Sequence, residues 1–250
     1  MILDGHVHVG RWREPSFSGR ETDLDDAVRV MAESGVHGAL VMPTDEGDNE
    51  GLLAAVGEYR GQVALRLCAW VDPGRPANLA WMEAHVTDLA ALKIHPSFLR
   101  LRPTDPALWP WFRLAAKHGL PVLVHCGRWQ EMSSWRFGLE LAVGHPDVNL
   151  ILCHMGGDGT DLIEAVVAAL SAKGAPTNVW LGTESIRQYW SVQRAAHRLG
   201  AGRLIFGSDY NLNHPRSFLA VVYALALSAE DRAAVLGGNL QRLLPASQKF

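Results

Sequence analysis

The sequence contains few cysteines and no stretch typical of a secretion signal. Cys68, Cys126 and Cys153 are odd in number and widely spaced, and each lies in an apolar, strand-like run. This pattern argues against a disulfide framework and favours a reducing compartment. The first residues, Met-Ile-Leu-Asp-Gly-His, provide no basic segment followed by a long apolar one. We therefore expect a cytoplasmic protein.

The chain also lacks a surplus of one charge and a long hydrophobic run. Lys+Arg 23 against Asp+Glu 26 gives a formal net charge of -3, without the basic excess that nucleic-acid phosphates require. The longest apolar run, Phe218 to Leu227, is about half of the ~20 residues that cross a bilayer. We expect neither nucleic acid nor membrane as a partner. The run predicts a buried helix, which covers the protein's own core or meets a second copy in a homo-oligomer.

Hydrophobic residues make up 48% of the 250 residues and charged residues 20%, as in a globular core-forming chain. Short apolar runs alternate with amphipathic stretches of helical period, separated by Gly, Pro, Asn or Asp. The eight candidate strands are Ile2–Val9, Gly38–Met42, Val63–Val71, Ala90–Ile94, Val122–His125, Asn149–Cys153, Asn178–Leu181 and Leu204–Phe206.

The eight strands recur about every 31 residues, which is the size of a strand plus a crossover helix. This arithmetic predicts an α/β protein, a (β/α)8 TIM barrel forming a single domain over residues 1–250. An open doubly wound sheet is the alternative. No Gly-x-Gly-x-x-Gly follows the first strand, so the dinucleotide-binding form of that alternative lacks its phosphate loop.

Metal-binding side chains stand at the ends of several predicted strands. His6 and His8 are two residues apart, so they project from the same face of the first strand. His125 and Asp209 follow later strands and add a nitrogen and an oxygen ligand, a set that suits Zn²⁺ or a similar divalent ion with one position open for water. A lone histidine is more often a hydrogen-bonded polar residue, but the combination predicts a catalytic metal centre.

Six motifs, in order along nearly the whole chain, resemble the amidohydrolase superfamily, and most closely the group that includes aminocarboxymuconate semialdehyde decarboxylase. By this resemblance His6, His8, His125 and Asp209 match metal ligands, and His154 matches a histidine that binds a second metal or the substrate. The motifs are His6-Val-His8, Leu92-Lys93-Ile94-His95-Pro96, Pro121-Val-Leu-Val-His125, Leu152-Cys-His154-Met-Gly-Gly157, Phe206-Gly-Ser-Asp209 and Leu236-Gly-Gly-Asn239-Leu-Gln-Arg-Leu243.

Lys93 bears on the number of metal ions. In two-metal relatives a lysine of the fourth strand is carboxylated and bridges the ions, whereas the Lys-Ile-His-Pro motif of this chain resembles that of the one-metal branch. We expect one ion, with Lys93 and His95 as candidate second-metal or substrate residues, since strand alternation places both on one face. The alternative is a structural lysine paired with a carboxylate such as Glu184, because an unpaired buried ammonium is costly.

The predicted activity is hydrolysis of an amide, ester or lactone in a small, carboxylated substrate. Bound Zn²⁺ lowers the pKa of water toward ~7, Asp209 accepts the proton, and His154 orients the carbonyl group. A metal-dependent decarboxylase would use the same ligands, and a non-catalytic metal-binding barrel would also keep them. For substrate contact we predict Arg128, which follows His125 closely, together with Trp12 and Trp70, although surface arginines and loop tryptophans are common.

Overall fold

A single sheet dominates the computed structural model, which describes residues 1–17 and 19–250. The sheet order is β2-β1-β3-β4-β5-β6-β7-β8-β9, and every neighbouring pair is parallel except β1 with β2. The strands are β1 Leu3–Arg11, β2 Glu21–Thr22, β3 Gly38–Pro43, β4 Ala64–Trp70, β5 Leu89–Ile94, β6 Val122–Val124, β7 Leu150–Leu152, β8 Val179–Gly182 and β9 Leu204–Ile205.

The α-helices connect these strands, as the alternation of the sequence predicts. None of the helices in the described residues combines the length and the hydrophobicity that a membrane crossing requires. Their bounds are α1 Leu24–Glu33, α2 Asn49–Glu58, α3 Ala77–Ala84, α4 Pro96–Leu99, α5 Trp109–His118, α6 Gln130–Ser133, α7 Trp135–Gly144, α8 Thr160–Leu170, α9 Tyr189–Leu199, α10 Pro215–Ala224, α11 Ala229–Ala233 and α12 Asn239–Leu243.

Capping residues explain where the most regular helices begin and end. The Asp23 carboxylate accepts a hydrogen bond from the Asp26 backbone N–H (2.8 Å) and starts α1. Helix α5 ends at Gly119, whose φ of +65° is a left-handed conformation that glycine adopts without strain. Such caps depend on neighbouring residues alone.

The segment that follows β9 also bonds to β1, at the opposite side of the sheet. The Gly5 N–H donates to the Phe206 carbonyl oxygen, and the Asp209 N–H donates to the His6 carbonyl oxygen, each at 2.9 Å. A parallel bridge pairs Val7 with Tyr210. These bonds bring Asp209 beside the His-x-His pair of β1, although the two are about 200 residues apart in sequence.

The structure corrects one sequence prediction about the later part of the chain. The run from Phe218 to Leu227 is not one buried helix: α10 ends at Ala224, and Tyr223 on its outer face is 51% exposed. The error arises because apolar composition does not reveal which face of a helix packs on the sheet. After this run Ser228 caps α11, and a wide π-type turn over Ala234–Gly238 separates α11 from α12.

The last residues of the chain cover the N-terminal ends of the strands. The Arg66 guanidinium donates to the carbonyl oxygens of Gln248 (3.0 Å) and Lys249 (2.6 Å) and lies 5.3 Å from the centre of the Phe250 ring. Phe250 in turn packs on a small inner core that includes Leu3 and Leu40. The closing segment therefore shields one end of the sheet interior and leaves the other end for a cavity.

Gly38→Ala should destabilise the protein by about 1–3 kcal/mol, as expected for overpacking. A Cβ atom at Gly38 would lie 2.6 Å from Phe250 Cδ1 and 2.9 Å from Leu3 Cδ2. As the matched control, Gly57→Ala in α2 meets nothing within 4 Å and should stabilise by about 0.5–1 kcal/mol. Urea unfolding of both variants measures the difference, and equal effects would contradict this packing.

Candidate metal centre

A cavity of about 680 Å³ opens where the C-terminal ends of the parallel strands meet. Its wall combines residues of β1 and of the segment after it with residues that follow β5 to β9. The main polar residues of the wall are His6, His8, Arg20, His95, His125, Arg128, His154, Asp158, Ser185, Arg187, Asp209 and Asn213. The candidate site is therefore built by the sheet and completed by the loops above it.

Three of the predicted ligands converge at the floor of this cavity. His6 Nε2 and His8 Nε2 are 3.1 Å apart, and Asp209 Oδ1 lies 3.5 Å from the first and 3.7 Å from the second. All three side chains are buried, and their ligand atoms lie within 4.8 Å of one another. The His-x-His spacing places His6 and His8 on the same face of β1. The backbone hydrogen bond from the Asp209 N–H to the His6 carbonyl oxygen brings the Asp209 carboxylate beside them.

The opposite ring nitrogens show that this group fits a divalent cation. His6 Nδ1 bonds to the Glu184 carboxylate (3.1 Å), and His8 Nδ1 bonds to the Pro43 carbonyl oxygen (3.0 Å). Because both partners are acceptors, both Nδ1 atoms carry the hydrogen, and two Nε2 lone pairs face each other. A shared cation removes that repulsion, and such outer hydrogen bonds are typical of metal-binding histidines.

Asp209 is held by two residues that sequence reasoning did not identify. Ser185 Oγ donates to Asp209 Oδ2 (2.8 Å), and Asn213 Nδ2 donates to the same oxygen at 3.4 Å. Oδ1 is left to face the two histidines. The only signal in the sequence was proximity, since Ser185 follows Glu184 and Asn213 lies four residues after Asp209.

The other three histidines of the cavity, His95, His125 and His154, lie together on the same wall. His125 Nδ1 lies 3.1 Å from His154 Nε2, and the His125 ring stacks on His95 with 3.8 Å between the ring centres. His154 adopts a left-handed backbone conformation (φ +55°), in which its N–H donates to Glu184 Oε1 (3.1 Å). His125 lies outside the group of His6, His8 and Asp209, so its role as a ligand stays a prediction.

Burial sets the protonation of this site. It lowers the pKa of His6, His8, His95 and His125, and the charge of Lys93 lowers each further. Burial alone would raise the pKa of Glu184, but the hydrogen bond from His6 and the other contacts of the carboxylate together outweigh it and bring that pKa to about 2. These four histidines are therefore neutral at neutral pH, as metal ligands must be, and Glu184 is anionic.

The metal-free protein should lose stability steeply as pH falls below 6.5. Below that pH each of these four histidines binds a proton in the unfolded chain but stays neutral in the folded protein. The unfolded state therefore binds more protons than the folded state, and the free energy of unfolding decreases as the pH falls. Asp4 opposes the trend by one proton, because burial raises its pKa to about 7. The net slope should reach up to about 4 kcal/mol per pH unit, from three protons at ~1.4 each.

Urea unfolding with a chelator, between pH 7 and pH 5, measures this slope. His95→Gln should reduce it by about 1.4 kcal/mol per pH unit. His197→Gln, at an exposed position of α9, is the matched control and should leave it unchanged. A flat profile in the unmodified protein would show that the buried histidines protonate freely in the folded state.

Lys93 lies beneath the cavity and is completely buried. Its Nζ is 3.3 Å from His6 Nε2 and 3.2 Å from Cys153 Sγ. The ion pair with Glu184 that sequence reasoning offered as an alternative does not form, because the Glu184 carboxylate is bonded to His6 Nδ1 and the His154 N–H instead. The described residues place no carboxylate within ion-pair distance of Lys93.

The predicted substrate residues occupy different positions. Trp12 and Arg128 line the cavity, and Arg128 Nε donates to Asp158 Oδ1 (3.1 Å). Trp70 is not on the wall: it packs behind His95, with 5.7 Å between the ring centres. The cavity also contains Arg20 and Arg187, which sequence reasoning missed because neither stands close to a histidine motif.

Fold and site together define an α/β protein with a buried group of candidate metal ligands at the C-terminal ends of parallel strands. The family model described as Amidohydrolase matches residues 4–246, so the chain belongs to the amidohydrolase family, as its motifs predicted. A comparison with curated proteins gave no significant match.

Solved structures of similar fold include both decarboxylases and a protein assigned as a hydrolase. The 5-carboxyvanillate decarboxylase from Sphingomonas paucimobilis has a TM-score of 0.74 at 17% identity, with 97% of this chain and 98% of that chain covered. A protein from Pseudomonas putida assigned as a 2-pyrone-4,6-dicarboxylic acid hydrolase has a TM-score of 0.71 at 18% identity, with 97% and 96% covered.

A third similar structure is a dihydroxybenzoic acid decarboxylase from Polaromonas sp. JS666 with bound manganese and the inhibitor 2-nitroresorcinol. Its TM-score is 0.73 at 15% identity, with 97% of this chain and 96% of that chain covered. At identities this low, these comparisons establish a shared fold and nothing more. The reaction of this chain must be argued from its own residues.

Proposed function

We propose that this protein is a metal-dependent hydrolase that cleaves an amide, ester or lactone bond in a small carboxylated substrate, with Zn²⁺ as its ion. The observation that carries the proposal is the pair of Nε2 lone pairs of His6 and His8, 3.1 Å apart beside Asp209 Oδ1. Packing alone does not explain that arrangement, since it places three unprotonated or anionic groups together in a buried site.

His6, His8 and Asp209 would hold the ion, with His125 as the further predicted ligand on the wall. A bound divalent cation supplies Lewis-acid chemistry, polarising a substrate carbonyl and acidifying a water molecule. Asp209 would take a proton from the attacking water at Oδ1, because Ser185 and Asn213 occupy Oδ2. His154, held through its backbone by Glu184, would orient the carbonyl group.

Three arginines favour a substrate that carries carboxylate groups. Arg128 already contacts Asp158, but Arg20 and Arg187 have no side-chain ion pair among the described residues. Two guanidinium groups of the cavity are therefore available to pair with a substrate carboxylate. Trp12, Phe17 and Leu212 provide an apolar wall for a ring. A planar, ring-containing acid therefore matches the cavity in both charge and polarity.

A metal-dependent decarboxylase is the second candidate function. It is favoured by structures of similar fold that are decarboxylases of aromatic acids, including the one with bound manganese. The same buried ligands and arginines would serve that reaction, with carbon dioxide as the product in place of a hydrolysed bond.

We also propose that the sheet closes into a barrel, which the bonds of Gly5 to Phe206 and Asp209 to His6 support.

Product analysis separates the two functions. Metal-free protein is loaded with one equivalent of Zn²⁺ or Mn²⁺ and incubated with two panels of test compounds. The first panel contains ring-carboxylated lactones and cyclic amides, and the second contains hydroxybenzoic acids. Hydrolysis releases a titratable proton from each opened lactone, whereas decarboxylation releases carbon dioxide. We expect metal-dependent turnover in the first panel. Turnover confined to the second panel would replace the hydrolase by the decarboxylase, and equal turnover without metal would remove the metal from the proposal.

A further inference from the structure

The strand β1 continues past His8 and forms an antiparallel ribbon with β2 beside the candidate metal centre. The Trp12 N–H donates to the Arg20 carbonyl oxygen (3.1 Å), which extends the pairing by one step beyond the two strands. The Arg20 N–H donates in turn to the Phe17 carbonyl oxygen (2.9 Å). These bonds fix the backbone of Arg20 relative to β1, and its side chain lies on the cavity wall.

A single amide side chain, that of Asn211, bonds to both arms of this ribbon. Trp12 Nε1 donates to Asn211 Oδ1 (2.8 Å), and Asn211 Nδ2 donates to Thr22 Oγ1 (2.9 Å). Trp12 is 3% exposed and Thr22 is 6% exposed, so bulk water does not compete for these bonds. Because an indole N–H can only donate, Oδ1 must face Trp12, and that orientation leaves Nδ2 for Thr22.

Asn211 also belongs to the segment that carries a candidate metal ligand. It stands two residues after Asp209, whose N–H is bonded to β1 at 2.9 Å. The Trp12 ring, which Asn211 holds, packs on the ring of His8 with 4.7 Å between the ring centres. Asn211 therefore connects the metal centre to the ribbon that presents Arg20.

We infer that Asn211 is a positioning residue that, through Trp12 and Thr22, holds Arg20 where it binds a carboxylate of the substrate. The inference rests on the carboxylated substrate of the proposed function and adds to it the residue that places the binding arginine. Arg187 also lines the cavity, but it follows β8 and makes no hydrogen bond with Asn211 among the described residues. It provides an internal comparison.

A double-variant cycle with benzoate as the probe tests this inference. Calorimetric titration of the Zn²⁺-loaded protein gives Kd for Arg20→Gln, Asn211→Ala and their combination. Each single substitution should weaken benzoate binding about tenfold, as expected for a hydrogen bond to a charged group. The combination should be no more than about twofold weaker than Arg20→Gln alone, because Asn211 acts through Arg20. Asn211→Ala combined with Arg187→Gln should instead be additive, about a hundredfold weaker.

Thr22 offers a matched pair of variants for the same contact. Thr22→Val removes the acceptor of Asn211 Nδ2 with little change in volume and should weaken benzoate binding about fivefold. Thr22→Ser keeps the hydroxyl group and should bind as the unmodified protein does. On a substrate from either panel, Asn211→Ala should raise KM about tenfold and change kcat less than about twofold, since binding and not the metal centre is altered.

Additive losses in the cycle of Asn211 and Arg20 would overturn the inference, as would unaltered KM in Asn211→Ala or no benzoate binding by the unmodified protein. Benzoate binding with the expected cycle, but without metal-dependent turnover of either panel, would overturn the proposed function alone. If Asn211→Ala fails to fold, as judged by circular dichroism, Thr22→Val replaces it in both cycles with the same coupling expected.

Discussion

Replacing His6 by alanine is expected to abolish stoichiometric metal binding and, with it, turnover. His6 contributes Nε2 to the converging group of ligand atoms and carries the hydrogen bond to Glu184 that sets its tautomer. Loss of an outer partner of a metal ligand already costs about 10–100-fold in affinity. Loss of the ligand itself should exceed that, and elemental analysis after dialysis should find well under one equivalent.

Glu184→Gln is the graded companion to this variant. Glutamine can still accept the bond from His6 Nδ1 but lacks the negative charge, so metal affinity should fall within that 10–100-fold range while some metal remains bound. His118→Ala, at the end of α5 and not among the residues that line the cavity, is the matched control and should keep full metal content. A His6→Ala protein that is folded and fully loaded would remove the His-x-His pair from the centre.

Asp209→Asn should lower kcat by about 10²–10⁴-fold, the range for loss of a positioned general acid or base. Asparagine keeps the size of the side chain but cannot accept a proton as a carboxylate does. The measurement is kcat on the substrate that the two panels identify, with metal content determined in parallel so that loss of the ion is recognised. Unchanged kcat would exclude Asp209 from proton transfer.

Ser185→Ala tests whether the hold on Asp209 matters for catalysis. Removing the 2.8 Å bond to Oδ2 frees the carboxylate to rotate away from the histidines, and we expect a smaller fall in kcat, about tenfold, with metal retained. Asp161→Asn, an exposed acidic residue in the first turn of α8, is the control and should leave kcat unchanged. If Ser185→Ala equals Asp209→Asn in effect, Ser185 takes part in the reaction directly.

Local signals in the sequence were sufficient for most of the helices and strands. The bounds of α1 follow from Asp23 and Gly35, because a helix cap involves residues only a few positions apart. Each of the eight predicted strands overlaps a strand of the sheet, with ends that differ by at most two residues. The two-residue strand β2 was missed, since a pair of residues carries no periodic pattern.

The sequence by itself determined the family and the candidate ligands, because strand alternation places His6 and His8 on one face and the motifs recur in order. Only the tertiary structure decided how the site is assembled. In the folded chain Asp209 lies beside His6, and Glu184 bonds to the His6 ring. Trp70 lies outside the cavity wall, and Lys93 contacts Cys153. These contacts join residues 60 to about 200 positions apart, and such pairs are set by packing of the whole sheet, which no local pattern encodes.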